Sequence, residues 1–372
     1  MRVVFFVRAD APAKSGGDLV QANQYIAALK RRKVVAQLVR SPGELRGASL
    51  LHVFNLDRPW DALPLVGEAS KLGIPIVLST LLHPREAVVR YQRERSFPVE
   101  RLLLSSGVSP DLTERVKAVM RGLVSRAWPA VKTAAGLPLR AAQAALWRQC
   151  SGAQVLSHAE RRALEERGFI FEGKISRIVR NGVFPPSHGV AFRDDTGIPA
   201  FVAKHPKFCL VGGRIEPRKN QCVILELGEL FAIPIIFAGA INERHAGYAR
   251  RFKELIKGRE NILHVGEIPR GEFDSLLNRC HLHVSASLFE VSSLVDLEAR
   301  AAGAWIVSSK CGYAAEFLDE AAFICDPWSP PSIAVAIKKG WSQTGRAVAM
   351  PVPTWDLTGE ALLKMYAEII GN

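Results

Sequence analysis

Phe208-Cys209-Leu210-Val211-Gly212-Gly213-Arg214-Ile215-Glu216-Pro217-Arg218-Lys219-Asn220 places a short apolar run before a glycine pair and a cationic loop. Four apolar residues stopped by glycine read as a strand buried on both faces, and the pair supplies the turn that leaves it. A helical pattern follows, so the stretch is one repeat of strand, loop and helix, the unit of a parallel α/β sheet. Working outward, similar strands are expected at Ile233 to Ala238, Ile262 to Val265, Leu282 to Val284, Trp305 to Ser308 and Ala322 to Cys325. The N-terminal half alternates in the same way. Its strands are Val3 to Val7, Val34 to Val39, Leu50 to Phe54, Ile74 to Leu78, Val155 to Ser157 and Ile175 to Val179, with helical patterns at Leu19 to Leu29 and Ala159 to Arg167. Asn181-Gly182 marks a turn, and Gly182 to Pro206 has no clear period and reads as a linker. The fold class predicted is α/β with two doubly wound domains facing a central cleft. Their bounds are 1–185 and 207–350, a linker at 186–206 joins them, and a last helix in 351–372 packs against one of them.

The length of 372 residues suits two domains, and 48% hydrophobic with 23% charged residues excludes disorder and fibrous structure. The most apolar stretch, Cys222 to Ala240, is interrupted by Glu226 and Glu229, so no membrane-crossing helix is expected. The opening Met1 to Asp10 reads as a first buried strand rather than a signal peptide, which predicts a cytoplasmic protein. Six cysteines show neither a Cys-x-x-Cys pair nor zinc spacing and read as buried thiols. His281 and His283 alternate along a strand without further ligands, so no metal site is expected. Residues 1–186 carry 29 Lys and Arg against 15 Asp and Glu, a net +14, whereas 187–372 carry 20 against 21. A basic half beside a neutral one suggests that one domain meets an anionic partner, nucleic acid or a membrane surface.

Ligands of doubly wound domains sit at the carboxyl ends of the strands, so the post-strand loops carry the candidates. In Lys14-Ser15-Gly16-Gly17-Asp18, Gly16 and Gly17 would let backbone N–H groups approach an anion at a helix start, although a bare turn would read alike. In 212–220, Arg214 offers a planar fork and Lys219 a point charge, suited to a diphosphate; a solvated basic turn is the alternative. Phe289-Glu290-Val291-Ser292-Ser293-Leu294-Val295-Asp296-Leu297-Glu298 sets two carboxylates eight apart across a helix start. With Ser292 as N-cap, free N–H groups near Ser293 and Leu294 would face a phosphate, and Glu298 would lie roughly 8 Å further along. Ionised carboxylates only accept hydrogen bonds, which suits Glu290 and Glu298 to gripping sugar hydroxyls. A first-turn acid and a surface residue would read the same way.

Together these residues resemble the retaining glycosyltransferases of family 4, which have the GT-B fold. The resemblance covers nearly the whole chain and rests on Gly16-Gly17, Asn181-Gly182-Val183, Gly213-Arg214 with Lys219, Glu290 and Glu298 as an E-x7-E pair, and Gly312 with Glu316. It implies that Arg214 and Lys219 hold the diphosphate of a nucleotide-sugar donor. Glu290 would orient the donor sugar, Glu298 bind ribose, and Gly17 approach the phosphate from the opposite domain. His83, in Ser79-Thr80-Leu81-Leu82-His83, resembles the family's histidine near the transferred sugar, with two residues after Thr80 where the family has one. Val291-Ser292 stands where Phe-Gly is common. The implied reaction is metal-independent transfer of a hexose, of mannose or glucose type, to a hydroxyl with retention. It needs no cofactor beyond the donor; leaving-group charge would fall on Arg214, Lys219 and the helix N-terminus. The last helix, with Trp355, resembles the family's terminal segment that crosses back to the N-terminal domain.

Between Glu114 and Glu160 the chain has no acid but has Arg115, Lys117, Arg121, Arg126, Lys132, Arg140 and Arg148. Leu112, Val116, Val119, Met120, Leu123, Val124, Ala127, Trp128 and Val131 recur at helical spacing, which predicts one amphipathic helix ended near Pro129, with Trp128 and Trp147 as interfacial anchors. A core helix with a solvated face fits the same pattern. On the membrane reading, 112–148 lies on the anionic inner membrane face and the acceptor is a lipid-linked glycan of surface polysaccharide or lipopolysaccharide synthesis. The alternatives are a soluble acceptor, a sugar-nucleotide epimerase, or a nucleic-acid-binding or scaffold protein with a degenerate site.

Overall fold

The computed structural model describes residues 1–11, 16–184 and 190–371. The chain divides into two compact units. The first comprises Met1–His83, Val99–Gly182 and Pro353–Asn372, and the second Pro84–Pro98 and Val183–Val352. In chain order the first stretch holds β1 (Arg2–Phe6), α1 (Gly17–Arg31), β2 (Val35–Leu38), β3 (Leu50–Phe54), α2 (Pro59–Lys71), β4 (Ile76–Ser79), α3 (Arg85–Glu94), α4 (Pro98–Ser105), α5 (Pro110–Val124), α6 (Trp128–Gly136), α7 (Leu139–Gln149), β5 (Gly152–Val155), α8 (His158–Glu166) and β6 (Ile175–Ile178). The remainder holds α9 (Ile198–Lys204), β7 (Cys209–Gly212), α10 (Gln221–Phe231), β8 (Ile235–Ala238), α11 (Ala246–Ile256), β9 (Ile262–His264), α12 (Arg270–Arg279), β10 (Leu282–Ser285), α13 (Leu294–Ala301), β11 (Trp305–Ser309), β12 (Ala322–Cys325), α14 (Pro330–Trp341) and α15 (Trp355–Gly371).

Each unit is built on one parallel six-stranded sheet, ordered β2-β1-β3-β4-β5-β6 in the first and β12-β11-β10-β7-β8-β9 in the second. The register sets Val4 between Gln37 and Leu51, and His283 between Leu210 and Ile306. The order reverses beside the first strand of each unit, as in doubly wound sheets. Continuous apolar strands such as Ile235–Ala238 are buried on both faces because helices cover both, which is why they show no alternation.

The last helix, α15, belongs to the first unit. It packs along α1, where Gly359 meets Ala28, and beside β5, where Gly152 meets Met365 and Ile369. Tyr366 Oη lies 2.5 Å from His52 Nδ1, and Ser79 Oγ lies 2.7 Å from His52 Nε2, all buried. Burial without a charged partner depresses the His52 pKa to about 3, so the ring is neutral in the fold. Gly182 lies against the backbone of Thr354 and Trp355, leaving no room for a Cβ.

Three expectations are corrected. Residues 186–206 do not form a bare linker: α9 inserts Ile198 and Phe201 into the second core. Residues 112–131 are two helices, because α5 ends at Val124 and Arg126, in the left-handed region at φ +56°, reverses the chain before α6. Trp147 is no interfacial anchor: it is buried against Phe169 and Phe171 and donates to the Ile170 carbonyl. Five of the six cysteines are buried, and Cys311 is half-buried.

Candidate functional site

In the second unit the chain leaves β7 through Gly213 (φ +129°) and leaves β8 through Gly239 (φ +152°). A Cβ at Gly239 would collide with the Gly213 carbonyl, so the two post-strand turns meet backbone to backbone. Beyond Gly213 a single tight turn, Pro217–Lys219, is closed by Asn220 at φ +63°, whose side chain donates to the Pro327 carbonyl at 2.8 Å. The turn is tied to the loop after β10 by Leu288 N–H donating to the Arg218 carbonyl at 2.8 Å. That loop is braced in turn: Glu290 N–H donates to Cys311 O at 2.9 Å and Tyr313 N–H to Val291 O at 3.1 Å. Gly312 packs against the Glu290 backbone, where a Cβ would lie 3.0 Å from the carbonyl oxygen.

These constraints bring two cations onto one carboxylate oxygen. Glu290 Oε1 lies 2.5 Å from Lys219 Nζ and 2.7 Å from Arg218 Nη1. Arg218 also reaches the Phe289 carbonyl at 3.3 Å and Glu216 Oε1 at 3.2 Å. Burial opposes the Arg218 charge, but Glu290 and Glu216 outweigh it and hold its pKa above the ordinary value. Burial would raise the Glu216 pKa, yet Arg218 and Arg214 pull it below the usual range, with Asn242 donating to Oε2 at 3.0 Å. Arg214 is placed differently from its sequence reading. Its side chain is 50% exposed and only 3.8 Å from Glu216 Oε2, so Arg218, not Arg214, shares Glu290 with Lys219. The sequence pattern singled out Arg214 and Lys219 in this loop and gave Arg218 no role.

The second carboxylate lies on α13. Its N-cap is Ser293, not Ser292: Ser293 Oγ accepts from Asp296 N–H at 3.4 Å, which leaves Leu294 and Val295 as the first residues of the open turn. Glu298 is 7% exposed, and its Oε1 is 2.7 Å from Arg270 Nη1; Arg270 also pairs with Asp274 at 2.8 Å and stacks over Phe184. Burial pushes the Glu298 carboxyl above the ordinary glutamate value, and Arg270 offsets part of that. Behind α13, Asp296 bridges His283 Nε2 at 3.1 Å and Ser308 Oγ at 2.6 Å, all buried, so the helix start is fixed to β10 and β11. His281 Nε2–H donates to the Gly340 carbonyl at 3.2 Å, a packing role at the start of β10.

The excursion Pro84–Pro98 adds aromatic contacts to this unit that no local pattern signalled. Tyr91 meets Phe289 edge-on at 5.3 Å between ring centroids, Arg90 lies 4.2 Å over the Trp328 ring, and Phe97 stacks on His245 at 4.4 Å.

In the first unit, Gly16 is the N-cap of α1 and Gly17 its first residue, with open space where a Cβ would project. Lys14 and Ser15 lie outside the described residues. Asp18 accepts from Leu19 N–H at 2.9 Å and is held by Arg8 Nε at 2.6 Å, so a carboxylate of the chain already complements this helix start. His83 follows β4; Asp57 Oδ2 accepts from its backbone N–H and lies 2.9 Å from its Nδ1. Arg167 donates to the His83 carbonyl at 2.8 Å. The loop before it is anchored on buried Glu160, which accepts from Thr80 Oγ1, Leu82 N–H and Leu156 N–H at 2.6 to 2.8 Å. Burial raises the Glu160 pKa, against those three hydrogen bonds. Asp57 thus fixes the ring orientation of His83.

Residues 198–347 match the family of glycosyl transferases group 1. No curated protein matches the chain by sequence. Among solved structures, a sucrose-phosphate synthase from Thermosynechococcus elongatus is similar over 100% of this chain and 99% of its own, with TM-score 0.69 and 14% identity. Anabaena HepE in complex with UDP is similar over 100% and 98%, with TM-score 0.63 and 15% identity. The UDP-GlcNAc 2-epimerase of Methanocaldococcus jannaschii covers 99% and 100%, with TM-score 0.55 and 11% identity. The fold of the whole chain is GT-B, and its second unit carries a glycosyl transferases group 1 domain.

Proposed function

We propose that the protein is a retaining glycosyltransferase of family 4 type that moves a hexose from a nucleoside diphosphate sugar to a hydroxyl of a lipid-linked glycan. The observation that carries the donor half is the convergence of Lys219 and Arg218 on Glu290 in a unit matched by the group 1 family. A diphosphate entering beside this loop offers oxygens that both cations can take in place of Glu290. The released carboxylate then accepts from hydroxyls of the transferred sugar. The open first turn of α13, at Leu294 and Val295, adds N–H donors for phosphate, and Glu298 with Arg270 suits the ribose. HepE, of similar fold, has been solved with UDP and with UDP and glucose, which supports a donor of this class.

The acceptor half rests on α5. Ala118 and Gly122 face inward, Gly122 so closely that a Cβ would meet Val131, and this places the larger residues outside. Leu112, Val116, Met120, Leu123 and Val124 occupy an arc of one helix face and are 42 to 80% exposed, with Trp128 57% exposed just beyond. An exposed apolar row flanked by arginines in a basic half favours an anionic bilayer over a soluble acceptor. No helix among the described residues is long and apolar enough to cross a membrane.

Thermal-shift titration with UDP, GDP, ADP and their sugar conjugates tests the donor half. A base-selective rise in melting temperature, reduced in Lys219→Ala and Glu298→Ala, is expected by mass action. No shift with any nucleotide at millimolar concentration sinks the proposal.

A further inference from the structure

The first unit contains a cavity of about 430 Å³ that the donor chemistry does not use. It opens at the carboxyl ends of β1 and β2, where Phe6, Val7, Ala11, Leu38 and Val39 form one side. Pro64 and Leu65 of α2, with Ala127, Pro129 and Ala130 of the α5–α6 turn, form the other. Carboxyl ends of parallel strands are where doubly wound domains bind ligands.

Of its charged lining, Arg8 is paired with Asp10 and Asp18, and Asp61 is held at 2.7 Å by Arg58, which also meets Asp10 at 3.1 Å. Two arginines face three aspartates in this set and neighbouring Arg121 supplies a third cation, yet the Nε of Arg58 and the Nε of Arg121 are buried without an acceptor among the described residues. At the mouth stand Arg40 and Arg126, both exposed, and the guanidinium of Arg126 makes no hydrogen bond or ion pair among the described residues. The left-handed backbone at Arg126 holds that side chain on the turn that also carries Val124 and Trp128 on the exposed apolar face. Apolar walls with cations at the rim fit an amphiphile rather than a free sugar or a free anion.

We infer that this cavity binds a phosphate ester of a long apolar alcohol, its chain between Leu38, Pro64 and Ala130 and its phosphate at Arg40 and Arg126. Its role as the acceptor site rests on the proposed glycosyl transfer; the binding itself does not. The turn that lines the cavity at Arg126 and Ala127 directly follows the exposed apolar face of α5.

The test is calorimetric titration of the full chain with dodecyl phosphate below its micelle concentration, beside dodecyl maltoside and inorganic phosphate. Saturable one-to-one binding of dodecyl phosphate, at least tenfold tighter than either control, is expected. Arg126→Glu and Leu38→Asp, both at exposed or edge positions, should each weaken it at least tenfold while leaving the melting temperature and the nucleotide-induced shift intact. Equal binding of dodecyl maltoside, or affinities within twofold of wild type in both variants, overturns the inference. Loss of nucleotide response in the unaltered protein would instead strike the transferase reading and leave this result interpretable.

Discussion

Removing Glu290 should tighten binding of the bare nucleoside diphosphate while abolishing transfer. In the ligand-free protein Glu290 competes for the cations a diphosphate needs: Lys219 at 2.5 Å and Arg218 at 2.7 Å bond the same oxygen. A hydrogen bond to a charged partner contributes about 1.5 to 3 kcal/mol net, and these side chains are only 15 to 22% exposed, so salt screens them little. Arg218 keeps Glu216 in either state, so only part of this is recovered. About 1 to 2 kcal/mol remains, which corresponds to a Kd about five- to thirtyfold lower for the preferred diphosphate in Glu290→Ala. The sugar conjugate should gain less, because the carboxylate that accepts from its hydroxyls is gone. Calorimetric titration of wild type and Glu290→Ala with the diphosphate and its sugar conjugate reads both effects, and Lys219→Ala should weaken both ligands. An unchanged or weaker diphosphate affinity in Glu290→Ala would show that Lys219 and Arg218 do not meet phosphate, and the assignment of this loop would fall.

Three further outcomes follow from other parts of the fold. Gly182→Ala must push a methyl into the Trp355 backbone, so chemical unfolding should show a loss of about 3 kcal/mol, and a wild-type midpoint would contradict the close approach. His52 is neutral in the fold with its pKa near 3 but titrates near 6.5 when unfolded, so the unfolded chain binds the extra proton between those values. Stability from this group is therefore complete above about pH 6.5 and falls as pH drops towards 3, by about 1.4 kcal/mol per unit. Urea unfolding at pH 7 and pH 5 should show a smaller loss in His52→Gln than in wild type; equal losses would place the titration elsewhere. Val116→Glu with Met120→Glu should remove flotation with anionic vesicles without lowering the melting temperature, since both side chains are exposed. Undiminished flotation would move the membrane contact off α5.

Much of the architecture was legible because it is written in local period. Short runs of mostly apolar residues mark the twelve strands within a few residues, and the loops after several of them hold the candidate residues. The paired glycines, the Lys219 loop and the spacing from Glu290 to Glu298 are likewise short-range signals. Chemistry of a residue type, such as a carboxylate beside a helix start, can be read without knowing its neighbours.

Which partner each side chain meets is set by contacts distant in the chain. Arg214 and Arg218 are four apart on one loop, and nothing local distinguishes them; the turn closed by Asn220 aims Arg218 at Glu290. Residues 112–131 have the period of an amphipathic helix, but periodicity does not say which face is covered, and the core takes Ala118 and Gly122 while the large residues stay outside. Trp147 and Trp128 are alike in sequence context, yet one finds Phe169 and Phe171 and the other finds solvent. The strands, the loops and the chemical types at their ends follow from local sequence, because they depend on neighbours a few residues away. Burial, pairing and the cavity depend on residues tens to hundreds apart in the chain, as in Tyr366 against His52, and only the folded chain brings them together.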